Sequence, residues 1–267
     1  GVALGETVFG KRSFSRYLIG DALVSPPSYS PRPIRNALKT CSIRVGGVFH
    51  HKLFMNLYQI TDFIGIVAFA LAGILAARGR KVDPVGVFVM AFTTAFGGGL
   101  IRDIIIDNRP FYWIAHQEYV WVVLFMTLIA PLIVRKFTET RLYAIFIWSD
   151  AIGLAVFSVG GTAMSTAAGV PALPAVILGV CTGVFGGLLR DVFLCRFPMV
   201  LSDKQPYAFA AFAGNWVYLG LVYINMSVDT AFIASAVFIA GLRLVCWHLD
   251  MPFVSYGSHK GVDDGTL

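Results

Sequence analysis

Polar residues along this chain are gathered into short clusters, and between them run long apolar stretches. A search for windows of roughly 18 or more mostly apolar residues, the length needed to cross ~30 Å of hydrocarbon at about 1.5 Å per residue, places seven of them. They cover residues 60–77, 84–106, 119–134, 142–163, 172–194, 207–224 and 228–245, the third being the shortest and open to extension back to Ala115. Each is expected to be a spanning helix. The composition agrees: 57% of the residues are hydrophobic and 13% charged, against about 25% charged in soluble domains. Composition alone leaves a channel, a transporter and a membrane-embedded enzyme open.

Aligned with itself at a constant offset of 88, the sequence matches over residues 62–114 and 150–202 at thirteen of 53 positions. Asp62 falls on Asp150, Gly65 on Gly153, Phe69 on Phe157, Gly73 on Gly161 and Val82 on Val170. The dense part follows, with Thr94 on Thr182, Gly98 on Gly186, Gly99 on Gly187, Leu100 on Leu188, Arg102 on Arg190, Asp103 on Asp191 and Pro110 on Pro198. Each copy holds three apolar segments. Three is odd, so the second copy must enter the membrane from the opposite side, which makes an inverted repeat with one segment left over. The fold expected is an all-α membrane protein of seven transmembrane helices, two inverted three-helix repeats plus a seventh helix. Its parts are residues 55–141, 142–226 and 227–247, flanked by a basic extension at 1–54 and a tail at 248–267.

Charge locates the ends. Residues 1–54 carry eight Lys or Arg against Glu6 and Asp21, and from Met55 onward the count is thirteen against thirteen. With its proline cluster "SPPSYSPRP" the extension is expected to be disordered or loosely membrane-associated, and a start-site or expression extension is the favoured reading of it. Its scattered basic residues lack the aromatic interleaving of a nucleic-acid arm, so no nucleic-acid partner is expected. The loops after segments one, three and five hold Arg78, Arg80, Lys81, Arg135, Lys136, Arg141, Arg196 and Lys204, and those after two, four and six hold Arg109. By the positive-inside rule the first set is cytoplasmic, which puts the start of the membrane body outside and the C-terminus inside, with Trp113 and Trp148 as interfacial anchors.

The unusual chemistry lies in "AFGGGLIRD" and its second copy "VFGGLLRD". A phosphate-binding glycine loop would follow a strand, and here a spanning helix precedes it. Close helix packing accounts for Gly73, Gly153, Gly160, Gly161 and Gly179. Consecutive glycines each cost about 1 kcal/mol of helix propensity, so Gly97, Gly98 and Gly99, mirrored by Gly186 and Gly187, are expected to kink or unwind the helix and free carbonyls toward a watery pathway. Thr93, Thr94 and Thr182 add hydroxyls at mid-depth. An intramembrane arginine needs an interior partner. The neighbouring Asp103 and Asp191 point about 100° away on the helix, so Asp62 is the expected partner of Arg102 and Asp150 that of Arg190, as structural clamps or as parts of a gate.

Cys41, Cys181, Cys195 and Cys246 show no metal-ligand spacing and read as buried thiols, without a disulfide or a metal. His116 and His248 stand apart from any catalytic arrangement, so an enzyme is not expected, nor a cofactor other than a permeant monovalent cation.

"DFIGIVAFALAG", "AFGGGLIRDIIID" with "PFYW", and the second-copy "DAIGLAVFSVGG" and "GVFGGLLRDVF" resemble the bacterial glycine-transporter-domain family, which carries two such domains and is similar to the trimeric intracellular cation (TRIC) channels. The likeness covers residues 57–226. It implies a lipid-embedded homotrimer in the bacterial inner membrane, with a pore in each protomer between segments two and five, and passive conduction of potassium or other monovalent cations. The domain name implies instead secondary transport of glycine or another small amino acid. Phe185 stands where the first copy has Gly97, so the second break is expected to be shallower.

Overall fold

The computed structural model describes residues 48–80, 82–134, 137–201 and 207–249. Among these, eight α-helices and one short 3-10 turn form, and no strand. The helices are α1 (Val48–Ala77), α2 (Pro84–Ile105), α3 (Tyr112–Ala115), α4 (Gln117–Val134), α5 (Glu139–Ala167), α6 (Ala172–Phe193), α7 (Tyr207–Tyr223) and α8 (Val228–His248), with the 3-10 turn at Met199–Leu201. Most of the N-terminal extension and all of the tail from residue 250 lie outside the described residues. Residues 48–54, expected to be disordered, already belong to α1. The last helix breakers before the membrane body are Gly46 and Gly47, and nothing after them opposes the helix.

Local sequence sets the ends. The Asp83 side chain accepts a hydrogen bond from the Gly86 amide at 2.8 Å, and Pro84 occupies the first helical turn of α2. That is the cap and the proline position expected of a helix start. Ser227 caps α8 by accepting from the Thr230 amide. After α2 and α6 the chain turns in the same way, with Asp107 and Cys195 in the left-handed region at φ 51° and 50°. The amides of Asn108 and Arg196 then reach back to the carbonyls of Asp103 and Asp191 at 2.8 and 3.0 Å. These are helix C-terminal closures in which non-glycine residues take the left-handed position.

Five helices are long and apolar enough to cross a membrane: α1 from Gln59, α2, α5, α6 and α8. Helix α4, which contains Pro131, and helix α7, 17 residues long, are apolar and shorter. At the centre stand α1 and α5, each with 67% of its spanning window buried, against 39% for α2 and 33% for α8. Helices α1, α2, α5 and α6 pack on one another, α4 covers α1 and α2, and α7 and α8 cover α5 and α6. In lipid, apolar side chains gain little by leaving the solvent, so close van der Waals fit holds such helices together. Phe69 of α1 stacks on Phe157 of α5, ring centroids 5.4 Å apart, within a core that includes Ile66, Ala95, Leu154 and Val159.

The glycines do not open their helices. Helix α2 is continuous through Gly97, Gly98 and Gly99, and α6 through Gly186 and Gly187. Their purpose is contact: a Cβ on Gly98 would collide with the carbonyl oxygen of Thr182, and one on Gly186 with the carbonyl oxygen of Thr94. The two helices therefore touch backbone to backbone, in the manner of Cα–H···O contacts at helix interfaces. Carbonyls expected to be freed toward water are instead covered by the partner helix. Of the glycines assigned to packing, Gly73 lies against Ala91 and Met90 of α2, Gly153 under the Phe69 ring, Gly161 against Thr182, and Gly179 against Thr162 and Ser158. Gly160 is different, since a Cβ there would meet only Phe232 at an ordinary 3.8 Å.

Candidate functional site: two buried arginine–aspartate clusters

Near the end of α2, Arg102 and Asp103 are both buried, and near the end of α6 so are Arg190 and Asp191. In each copy the arginine binds the aspartate next to it. Arg102 donates from Nε and Nη2 to Asp103 Oδ1, at 3.0 and 2.8 Å, and Arg190 donates from Nε to Asp191 Oδ1 at 2.9 Å. Neighbouring Cβ vectors on a helix do diverge by about 100°, which argued against this pairing. The long arginine side chain overcomes the divergence by folding back beside the helix end. There each aspartate is held by the returning loop.

The second oxygen of each carboxylate pins that loop. Asp103 Oδ2 accepts from the Tyr112 amide at 3.1 Å, and Asp191 Oδ2 from the Met199 amide at 3.0 Å. Asn108 adds a bond from Nδ2 to Asp103 Oδ1 at 3.2 Å.

The partners expected from the preceding helix are present in different degrees. Arg190 Nη1 donates to Asp150 Oδ1 at 2.8 Å, so Arg190 bridges two carboxylates, with Asp150 fully buried on α5. Its guanidinium also lies 4.8 Å over the Phe146 ring, a cation–π contact. In the first copy Asp62 of α1 is buried and shares a cavity of about 20 Å³ with Arg102, Asp103, Gly99, Tyr112 and Trp113. That volume is room for about one water molecule. Trp113, expected at the lipid interface, instead lines this cavity and meets Phe92 edge-on at 5.8 Å. Trp148 is half exposed on α5.

Threonines at mid-depth are spent on their own helices. Thr93, Thr94 and Thr182 donate to the carbonyls of Val89, Met90 and Leu178 at 2.6, 2.6 and 2.7 Å. Thr94 and Thr182 are nonetheless central, because their carbonyls form the α2–α6 contact. Gly97 faces Leu189 across that contact, Gly99 borders the cavity, and Gly187 sits beside the Tyr207 hydroxyl. Cys195, read as buried, is exposed in the turn after α6, Cys181 is half buried and Cys246 is buried.

Sequence reading missed two buried polar groups in the second half. Arg243 of α8 is fully buried with its guanidinium 4.7 Å over the Tyr207 ring. Asn215 of α7, also fully buried, donates to Ser158 Oγ at 2.9 Å and to the Val176 carbonyl at 3.4 Å. A lone arginine or asparagine inside an apolar run was the available signal, since intramembrane polar groups are costly and face the protein interior.

An all-helical membrane protein with two such clusters finds relatives by sequence and by fold. The profile of the family described as "Glycine transporter" matches residues 59–135 and again 147–223. The chain belongs to that family. It is 35% identical to a UPF0126 membrane protein of Vibrio cholerae over 81% of this chain and 93% of the relative, and 34% identical to the UPF0126 inner membrane protein YadS of Escherichia coli over 72% and 93%. Its fold is similar to the TRIC trimeric intracellular cation channel orthologue from Rhodobacter sphaeroides, with a TM-score of 0.68 and 26% identity over 73% of this chain and 98% of that one. A second solved structure, described under conductance through TRIC cation channels, matches with a TM-score of 0.67 and 29% identity over 74% and 97%.

Proposed function

We propose that this protein is a cation channel of the TRIC-like type that passively conducts potassium or other monovalent cations through a pathway within each protomer of a homotrimer in the bacterial inner membrane. Seven helices span the bilayer: α1, α2, α4, α5, α6, α7 and α8. The first three and the next three form two inverted repeats, and α8 is the remaining helix. The observation that carries the reading is the reciprocity of the contacts. Gly98 meets Thr182 while Gly186 meets Thr94, and Gly65 lies against Phe157 while Gly153 lies against Phe69. Each pair exchanges equivalent positions of the two copies, as a two-fold axis between them requires. Likeness to TRIC channels supports the same arrangement.

On this reading the pathway follows the α2–α6 interface, with Asp62, Arg102 and Asp103 at the outer end and Asp150, Arg190 and Asp191 at the inner end. The touching backbones of Thr94, Gly98, Thr182 and Gly186 are its closed constriction, and opening parts them. Gly97, Gly99, Gly187 and Thr93 flank it. The basic loops after α1, α4 and α6 face the cytoplasm, and the role is not enzymatic. A second reading, secondary transport of glycine, is favoured by the family's description. Against it, the middle of α2 and α6 holds threonines and glycines but no carboxylate to couple a proton or sodium ion.

Purified protein in liposomes tests the choice. Potassium flux down its own gradient, without saturation and without a co-ion, is expected. Saturable glycine uptake driven by an ion gradient, with no independent potassium flux, would replace the channel by the transporter.

A further inference from the structure

Where α2 and α6 touch, the two copies contribute equivalent residues, but the helices that carry the contact are anchored differently. The offset of 88 is kept by the two family matches, so α6 can be compared with α2 position by position. Gly161, Gly179 and Gly183 line the crossing of α5 with α6. A Cβ on Gly179 would collide with Thr162 Oγ1 and the Ser158 carbonyl oxygen, and one on Gly183 with the Leu154 carbonyl oxygen. The equivalent positions of the first copy are Gly73, Ala91 and Ala95, so two of the three already carry the Cβ that α6 lacks. Small residues let helix backbones approach, and α6 meets its neighbour's backbone at more points.

A side chain then ties this joint. Asn215 of α7, fully buried, donates from Nδ2 to Ser158 Oγ of α5 at 2.9 Å and to the Val176 carbonyl of α6 at 3.4 Å. One amide thereby joins three helices. In the first copy Thr127 stands in its place on α4, and Ala70 in place of Ser158. Thr127 is buried but spends its hydroxyl on the Val123 carbonyl of its own helix at 2.9 Å, and the Ala70 side chain has no polar atom to offer. Asn215 is also costly where it stands, because its Oδ1 meets no hydrogen-bond partner among the described residues and a buried unpaired acceptor is destabilising. Around the joint, α8 packs on α5 and α7, and 50% of the α6 spanning window is buried against 39% of that of α2.

We infer that Asn215 is a positioning residue that holds α6 to α5 and α7, so that the α2–α6 contact opens by movement of α2 against a fixed second half. The inference rests on the reading of that contact as the closed constriction of a channel. It gives the pathway one moving wall and one standing wall, and Asn215 acts through α6 without touching the ion.

Amide hydrogen exchange of the purified full chain in liposomes, read by mass spectrometry, reports local opening helix by helix. After allowance for intrinsic rates, amides 91–99 of α2 should exchange about threefold or more faster than amides 179–187 of α6, threefold being the average worth of one interhelical hydrogen bond in a membrane. Asn215→Thr, which places the first copy's residue there, should speed exchange in α6 by that factor and leave α2 unchanged. An asparagine that merely supports the fold would, on removal, loosen both helices alike. In the same liposomes Asn215→Thr should raise potassium flux by about threefold, because both walls can then withdraw. If Asn215→Thr does not fold, Ser158→Ala removes the shorter of the two bonds and should give the same two changes. Equal exchange in the two helices of the wild type, an equal rise in both on substitution, or faster exchange in α6 with unaltered flux would each overturn the inference. A wild type that carries no potassium while the exchange pattern holds removes the channel and leaves Asn215 as the anchor of α6.

Discussion

Replacing Gly98 by alanine tests the account of the α2–α6 crossing most directly. The added Cβ would fall less than 3.0 Å from the Thr182 carbonyl oxygen, well short of the 3.5–4.0 Å at which non-bonded atoms attract, so about 1 Å or more of separation is missing. The obstacle is backbone in the middle of a helix, which cannot turn aside as a side chain end can. Overpacking of this kind costs about 1–3 kcal/mol, and loss of a Cα–H···O contact a further 0.5–1 kcal/mol or so. Alanine returns up to about 1 kcal/mol of helix propensity. Gly160→Ala supplies the control, since it has the same propensity gain and its Cβ meets only Phe232 at 3.8 Å. The two variants should differ by about 1.5–4 kcal/mol. At roughly 2–4 °C per kcal/mol for a chain of this size, Gly98→Ala should melt about 3–16 °C below Gly160→Ala. Tryptophan fluorescence of purified protein on heating reads the difference. Equal melting temperatures would refute the crossing as a backbone contact. In liposomes Gly98→Ala should also raise potassium flux, because it penalises the closed contact and not a parted one.

Asp103→Asn removes an anionic partner of Arg102 and weakens the acceptor that pins the Tyr112 amide, so it should cost about 3–5 kcal/mol, as breaking a buried pair does, measured as lost thermal stability in detergent. Exchange of Asp150 and Arg190, as the double variant Asp150→Arg/Arg190→Asp, should not restore a monodisperse protein on size-exclusion chromatography. Arg190 also serves Asp191, and the exchange sets two carboxylates side by side. Asn215→Leu removes the bond to Ser158, and since interhelical hydrogen bonds in membranes average about 0.6 kcal/mol, its melting temperature should fall by no more than a few degrees.

Helix bounds were legible because this chain punctuates its apolar runs clearly. Asp83 and Pro84 open α2 where expected, Pro171 precedes α6, and the apolar run from 228 continues as α8 to His248. The repeat located both arginine–aspartate clusters and correctly paired Asp150 with Arg190 across two helices. Two expectations failed for one physical reason: each considered a helix in isolation. Gly98 is a helix breaker only until the α6 backbone is known to occupy the space a side chain would need. Arg102 and Asp103 point apart only as Cβ vectors, before the length of an arginine and the returning amide of Tyr112 are counted. Long-range neighbours of this kind leave no mark in local spacing. Arg243 did leave one, as a single charge in an apolar run, but it lies outside the repeat that marks the other two buried arginines.

That position outside the repeat gives Arg243 its weight. On the proposed two-fold relation of the copies, both ends of the pathway carry the same three charged residues, and ends that are alike would give it no electrical direction of its own. Only a feature that belongs to one copy can make them differ. Helix α8 packs on α5 and α7, elements of the second copy, and it brings the one additional buried arginine among the described residues. The same helix places Ile239 against Gly214 of α7 and Phe232 against Gly160 of α5, so its seat is fixed by packing at several points along its length. The charge it carries is therefore held in place by packing contacts away from the guanidinium. Substituting Arg243 changes the charge at that end of the bundle while those contacts persist.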